Sequence, residues 1–197
     1  MLAYYYISTL NKDDALNCGI KLSVNTDRNV PINGYITPCI STLLNPKDDL
    51  TNYKSSNFIC LRIEIKDEYC FIANKELYGS ENTIDLYNKS IVSPKDYIFG
   101  TYRIPECLIT CTILPENINE KNKIMDYPIL YDNSENLYIN NLIYDMREKY
   151  KYYDEISLRL FLDKLESQGQ FKKIEKGDSI IYSNQAGEIY TIKIREV

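Results

Sequence analysis

Histidine and tryptophan are both missing from this chain of 197 residues. The first absence excludes imidazole acid–base chemistry, Ser-His and Cys-His nucleophile systems, and histidine metal ligands. Any reaction must therefore run on carboxylates, Arg, Lys, Tyr, Ser, Thr or Cys. No run approaches the ~20 apolar residues that span a bilayer. The opening MLAYYYISTL has neither a basic region nor a long apolar core, so no signal peptide is expected. A global basic field is missing too: 23 Lys+Arg face 28 Asp+Glu, a net charge of −5, and nothing in that balance favours DNA or acidic lipid. A local basic groove is still compatible with it, and an acidic surface suits a basic partner. Six cysteines, at 18, 39, 60, 70, 107 and 111, form no CxxC pair, so no metal site is expected. Most lie in apolar runs, where cysteine acts as a small hydrophobe. The expectation is a reduced, cytoplasmic protein with free thiols and no membrane association.

What is present in excess is tyrosine, 19 against 5 Phe. Tyrosine suits half-wet core edges, stacking sites and interfaces, although with abundant Asn, Ile and Lys it also fits AT-rich coding. At 44% hydrophobic and 26% charged the composition is that of an ordinary globular protein. Its length allows one domain, or one domain and a small appendage.

Along the chain, Leu2 to Ser8 reads as a short strand. Asn11 opens a helix through Asn17, with Asp13 and Asp14 in the first turn and Gly19 as a stop. Residues 20 to 34 are polar and turn-rich and contain Arg28. Tyr35 to Leu44 reads as a strand, or a strand-to-helix transition, broken by Pro38, and 45 to 56 as a polar loop. Phe58 to Ile65 alternates, with Arg62 and Glu64 on one face, and Tyr69 to Ala73 returns as its hairpin partner. Residues 74 to 89 are loop and short helix, and 90 to 92 a short strand.

The chain's character changes after Ile118. Residues 119 to 133 read as a linker. Ser134 caps a helix to about Tyr152, with Ile139, Leu142, Ile143, Met146 and Tyr150 on one stripe. A second helix, Asp154 to Ser167, carries Ile156, Leu158, Phe161, Leu162 and Leu165. Three strands follow, punctuated at 177–178 and 184–187. The predicted organisation is α+β: a strand-rich domain over 1–118, a linker over 119–133 and a helix–helix–β-meander over 134–197. That last part has 10 Lys+Arg and 11 Asp+Glu. Helix–helix–hairpin order permits a winged helix, but the second helix lacks the basic face of a DNA reader. A packing or partner-binding role is the favoured reading.

The most informative stretch is YIFGTYRIPECLITCTILPENI, residues 97 to 118. Glu106 to Ile113 reads as a strand bracketed by Pro105 and Pro115. A carboxylate at the head of an apolar strand is costly to desolvate unless paired or used. Taken locally, Glu106 marks where the strand leaves solvent, and Arg103 is its natural salt-bridge partner.

Three segments together resemble the ADP-ribosyltransferase-like fold, and more loosely its DarT-like branch. YYYISTL, a short helix and CGI resemble the family's opening. Arg28 ahead of YITPCIST resembles the Arg that precedes an aromatic-rich second strand. PECLITCTILPENI resembles the late strand that begins with the catalytic Glu. The resemblance covers roughly residues 2–118 and implies a split-sheet domain that binds NAD as substrate. Cleaving the nicotinamide–ribose bond builds oxocarbenium character, which a carboxylate beside the ribose stabilises. It implies Glu106 in that role and Arg28 holding a phosphate or orienting the acceptor. It also implies Tyr6 and Tyr35 stacking the nicotinamide, and Ser8 or Thr37 bonding the ribose or carboxamide. The sequence departs from the family at the first strand, where Tyr6 stands at the usual His. Two readings stay open: a divergent transferase acting on a macromolecule, or an inactive interaction protein, such as a phage or toxin–antitoxin component, that grips a protein partner. A nucleic-acid partner through the tail is less favoured.

Overall fold

In the computed structural model, residues 1–121, 133–149 and 154–193 are described. Two compact units, Met1–Tyr138 and Ile139–Val197, are taken in turn. The architecture is α+β, and no helix among the described residues is long and apolar enough to cross a membrane.

The first unit is an antiparallel sheet. Its strands are β1 (Leu2–Ser8), β2 (Arg28–Ile32), β3 (Tyr35–Leu43), β4 (Phe58–Glu64), β5 (Cys70–Asn74), β6 (Pro105–Ile109) and β7 (Ile118–Lys121). The order is β5-β6-β3-β1-β4-β7, with β2 paired to β3. Strand β3 changes partners along its length: residues 35–39 make a ribbon with β2, while residues 40–43 join β6 and Leu43 meets Tyr4 of β1. Pro38 does not break β3. It lies in the ribbon, where the strand is paired on one edge only, a position that tolerates a missing N–H.

Three further expectations are corrected. β5 is not the hairpin partner of β4. The two edges of β4 are taken by β1 and β7, so after a 3-10 turn at Asp67–Tyr69 the chain crosses to pair with β6. Residues 28–32, expected as loop, form β2, because Asn33 and Gly34 adopt φ of 51° and 85°, the two positive values of a tight two-residue hairpin. Residues 119–121 belong to β7 rather than to a linker; the rest of that segment, to 132, lies outside the described residues.

Strand alternation sends the core to both faces. One face carries Ala3, Ile40, Leu61, Ile63, Ile72, Cys107 and Ile109, packed with Ala15 of α1 (Lys12–Cys18), Tyr97 and Ile113. The other carries Val30, Ile32, Cys39, Ala73 and Leu108, packed with Tyr87. The short helices α2 (Leu22–Asn25), α3 (Leu50–Lys54) and α4 (Ile84–Lys89) decorate the sheet, and α4 supplies Tyr87. All six cysteines are free thiols. Helix α5 (Ser134–Lys149) begins in this unit. The Asn133 side chain accepts from Asn136 N at 2.9 Å, and Asp48 accepts from Ser134 N and Oγ at 2.8 and 2.7 Å. A carboxylate at a helix start is favoured by the dipole.

In the second unit, Ile139 and Ile143 of α5 are buried, and Tyr150–Tyr152 lie outside the described residues. Helix α6 (Asp154–Ser167) buries Leu158, Leu162 and Leu165, whereas Ile156 is 75% exposed. The buried three recur at i, i+4 and i+7, one stripe of a helix; Ile156 is about 200° away from Leu158 and faces out. The meander β8 (Phe171–Lys176), β9 (Ser179–Asn184) and β10 (Ile189–Lys193) has the order β10-β9-β8. Phe171, Ile180, Tyr182 and Ile192 are buried. Asp163 of α6 accepts from Tyr182 Oη at 2.7 Å and Lys173 Nζ at 2.9 Å.

Candidate active site

Glu106 sits on β6 between β5 and β3, opposite Ala73 and Leu43. Every residue of β6 is buried, and Glu106 is 0% exposed. It therefore does not mark an exit to solvent, and a carboxylate so placed is costly unless its oxygens are matched. They are matched from three remote segments. Tyr87 Oη on α4 donates to Oε1 at 2.6 Å. Ser41 Oγ on β3 donates to Oε2. Arg28 Nη2 on β2 reaches Oε2 at 3.4 Å.

Arg28 is itself closely confined. Its guanidinium lies 3.8 Å from the ring centre of Tyr78, a cation–π distance, and Tyr78 meets Tyr87 edge-on at 5.0 Å. Nη1 donates to Asp27 O at 2.9 Å and lies 4.0 Å from the Asp27 carboxylate. Nε is buried with no hydrogen-bond partner. Asp27 in turn accepts from Ser41 N at 2.8 Å, so Ser41 bridges two carboxylates.

The fields are consistent with this packing. Burial opposes the charge on Arg28, but Glu106 and then Asp27 hold its pKa above the ordinary value. Burial, then the charge of Glu106 and its hydrogen bond, push the Tyr87 phenol far up, so Tyr87 keeps its proton and donates. Burial followed by Asp27 and Glu106 pushes the Cys39 thiol up to about 12, which makes it inert as a nucleophile. Partial desolvation raises Asp27, a half-exposed side chain, against the pull of the Ser41 amide and Arg28, with Glu106 adding to the rise.

Of the residues expected at the site, Glu106 and Arg28 come together across 78 positions of sequence. The register Tyr4–Leu43–Glu106 puts Tyr6, Ser8, Tyr35 and Thr37 on the same sheet face as Glu106, because side chains alternate with period two. None of the four is bonded to the cluster. Tyr6 Oη donates to Pro46 O at 2.6 Å and packs with Tyr4, Leu43 and Cys60. Ser8 accepts from Leu10 N. Tyr35 is 78% exposed at the ribbon's end, and Thr37 donates to Tyr35 O. Arg103 does not pair with Glu106; it binds Glu76 at 3.0 Å and Glu135 at 2.7 Å.

Ser41, Tyr78, Tyr87 and Asp27 were not singled out in the sequence. One signal pointed to Ser41 and Asp27. Asn33-Gly34 is a hairpin dipeptide, and counting back from it pairs Arg28 with Cys39, leaving Asp27 and Ser41 beyond. Tyr78 and Tyr87 gave no local signal among 19 tyrosines. Among the described residues, no three His, Cys, Asp or Glu side chains gather as a metal site. Comparison with protein-family models, curated proteins and solved structures gives no match.

Proposed function

We propose that the Met1–Tyr138 unit is an ADP-ribosyltransferase-like module that binds NAD or a related nucleotide and passes ADP-ribose to a macromolecular acceptor. The observation that supports this best is the Glu106 carboxylate, wholly buried on an inner strand and held by Arg28, Ser41 and Tyr87. Fixed donors at a desolvated carboxylate give a charge that needs no reorganisation as positive character grows at the ribose. In the step, the bond from ribose to nicotinamide breaks, nicotinamide departs with the electron pair, and an acceptor oxygen or nitrogen bonds the ribose and sheds its proton. Arg28 brings the phosphate-suited group: its Nε has no partner, and Tyr78 holds its plane. Glu106 has no exposed surface, so a ribose reaches it only when a neighbouring side chain shifts.

The same burial favours a second reading. A carboxylate with no exposed surface, and Tyr6, Ser8, Tyr35 and Thr37 outside the cluster, suit an inactive interaction protein in which Glu106–Arg28 pins the sheet. Calorimetric titration with NAD and an assay for released nicotinamide separate the two. The transferase reading expects binding and nicotinamide release, with release lost in Glu106→Gln. A protein that neither binds nor cleaves NAD leaves the interaction reading.

A further inference from the structure

The outer face of the meander forms a three-by-three grid. Register sets Lys172 opposite Ser183 and Ser183 opposite Ile189. It sets Ile174 opposite Ile181 and Ile181 opposite Thr191. The last row is Lys176, Ser179 and Lys193. These residues alternate with Phe171, Ile180, Tyr182 and Ile192, which are buried on the helix side. The outer grid thus holds three lysines, three isoleucines and three hydroxyls, and no carboxylate. Ile174 and Ile189 are 57% and 67% exposed. The acids of these segments lie off the grid. Glu175 shares the inner parity and meets Lys173, Asp178 sits in the β8–β9 turn beside Ser179, and Glu188 is bound by Asn140 and Asn184. In a chain of net charge −5, a face of one positive sign around an apolar centre is a local inversion.

We propose that this face docks an acidic amphipathic helix of a partner protein. Its apolar stripe would cover Ile174, Ile181 and Ile189, and its flanking carboxylates would meet Lys172, Lys176 and Lys193. Size agrees: two strand spacings are about 10 Å across, the breadth of one α-helix. A second copy offering the same face would set lysine against lysine. A nucleic-acid strand would lay phosphates over the isoleucines and find no stacking ring, since Phe171, Tyr182 and Tyr190 share the inner parity. The inference stands independently of what the first unit does.

The 197-residue chain is titrated with two labelled helical peptides of about fourteen residues, of equal leucine spacing, one flanked by Glu and one by Lys. The Leu/Glu peptide is expected to bind in preference to the Leu/Lys peptide and to weaken with salt. Combined reversal in K172E/K176E/K193E is expected to lower its affinity about tenfold, the scale of three exposed charge contacts, and to turn preference toward the Leu/Lys peptide. I174S/I189S is expected to weaken both peptides. Circular dichroism confirms that each variant is folded. Undiminished Leu/Glu binding by the charge-reversed protein overturns the proposal. So does a reversal-sensitive binding of poly(U) RNA, phosphatidylserine vesicles or a second copy that exceeds peptide binding.

Discussion

Tyr87 and Glu106, both wholly buried, are joined by a phenol-to-carboxylate hydrogen bond of 2.6 Å. It ties the short helix α4 to the inner strand β6. In Tyr87→Phe, Oε1 loses this donor without gaining water. Leaving a buried polar group unmatched costs about 1–3 kcal/mol. Urea unfolding should show a loss in that range with an unchanged m-value; a loss below about 0.5 kcal/mol would mean that the oxygen finds another partner.

The Arg28–Glu106 pair gives a sharper test, because removing one partner of a buried pair is worse than removing both. Arg28→Met strands the carboxylate and is expected to cost about 3–5 kcal/mol. Adding Glu106→Leu should recover part of that loss, so the double variant is more stable than the sum of the single changes implies. Unfolding of the four proteins in one buffer measures the coupling. Strict additivity would refute the pairing.

Much of each unit was legible in its residues. The alternation of Phe58–Glu64, the apolar run after Pro105 and the turn glycines of the meander each carry a period or a punctuation that physics reads directly. The partner of each strand was harder to read. β5 looked like the return arm of β4 because it follows at hairpin distance, yet register depends on which edges are free, a property of the whole sheet. β2 was hidden because Arg28, Asn29 and Pro31 dilute its apolar pattern, although Asn33-Gly34 announced it. At the site, Glu106 stood out because a charge breaks an apolar run. Ser41 and Tyr87 did not, since a serine or tyrosine in a core costs little to explain. What joins them is tertiary.

Asp27 supplies a pH prediction. Partial desolvation, chiefly, holds its carboxyl above the usual value despite the Ser41 amide, although the side chain is 43% exposed, so the folded protein holds this proton more tightly than the unfolded chain. The associated stability is fully present below the ordinary Asp value, about 3.9, and is lost as pH rises through the folded value. Asp27→Asn keeps an oxygen for Ser41 N and removes the titration. Urea midpoints of both proteins between about pH 3 and 7 should separate, with wild type losing ground to the variant as pH rises. Parallel curves would show that Asp27 is not shifted in that direction.

Two glycines separate backbone strain from steric overlap. Gly34 closes the β2–β3 ribbon with φ +85°, and a Cβ there would meet nothing within 4 Å; Gly19 has φ +76°, and its Cβ would fall 2.3 Å from Ile113 O. Gly34 disfavours an L side chain by about 1–2 kcal/mol, and Gly19, whose ψ is −176°, lies in a region almost restricted to glycine and disfavours one by about 1–3 kcal/mol. At Gly19 the overlap is with backbone, held by reciprocal hydrogen bonds between Ile20 and Ile113 at 2.9 and 3.0 Å, so relief requires that bridge to open. Gly34→Ala should therefore cost only the conformational amount. Gly19→Ala should cost clearly more and accelerate amide exchange at Ile20 and Ile113, which denaturation and hydrogen exchange can measure side by side. Equal losses, with the Ile20–Ile113 amides still protected, would show that the 18–20 turn yields without disturbing the sheet.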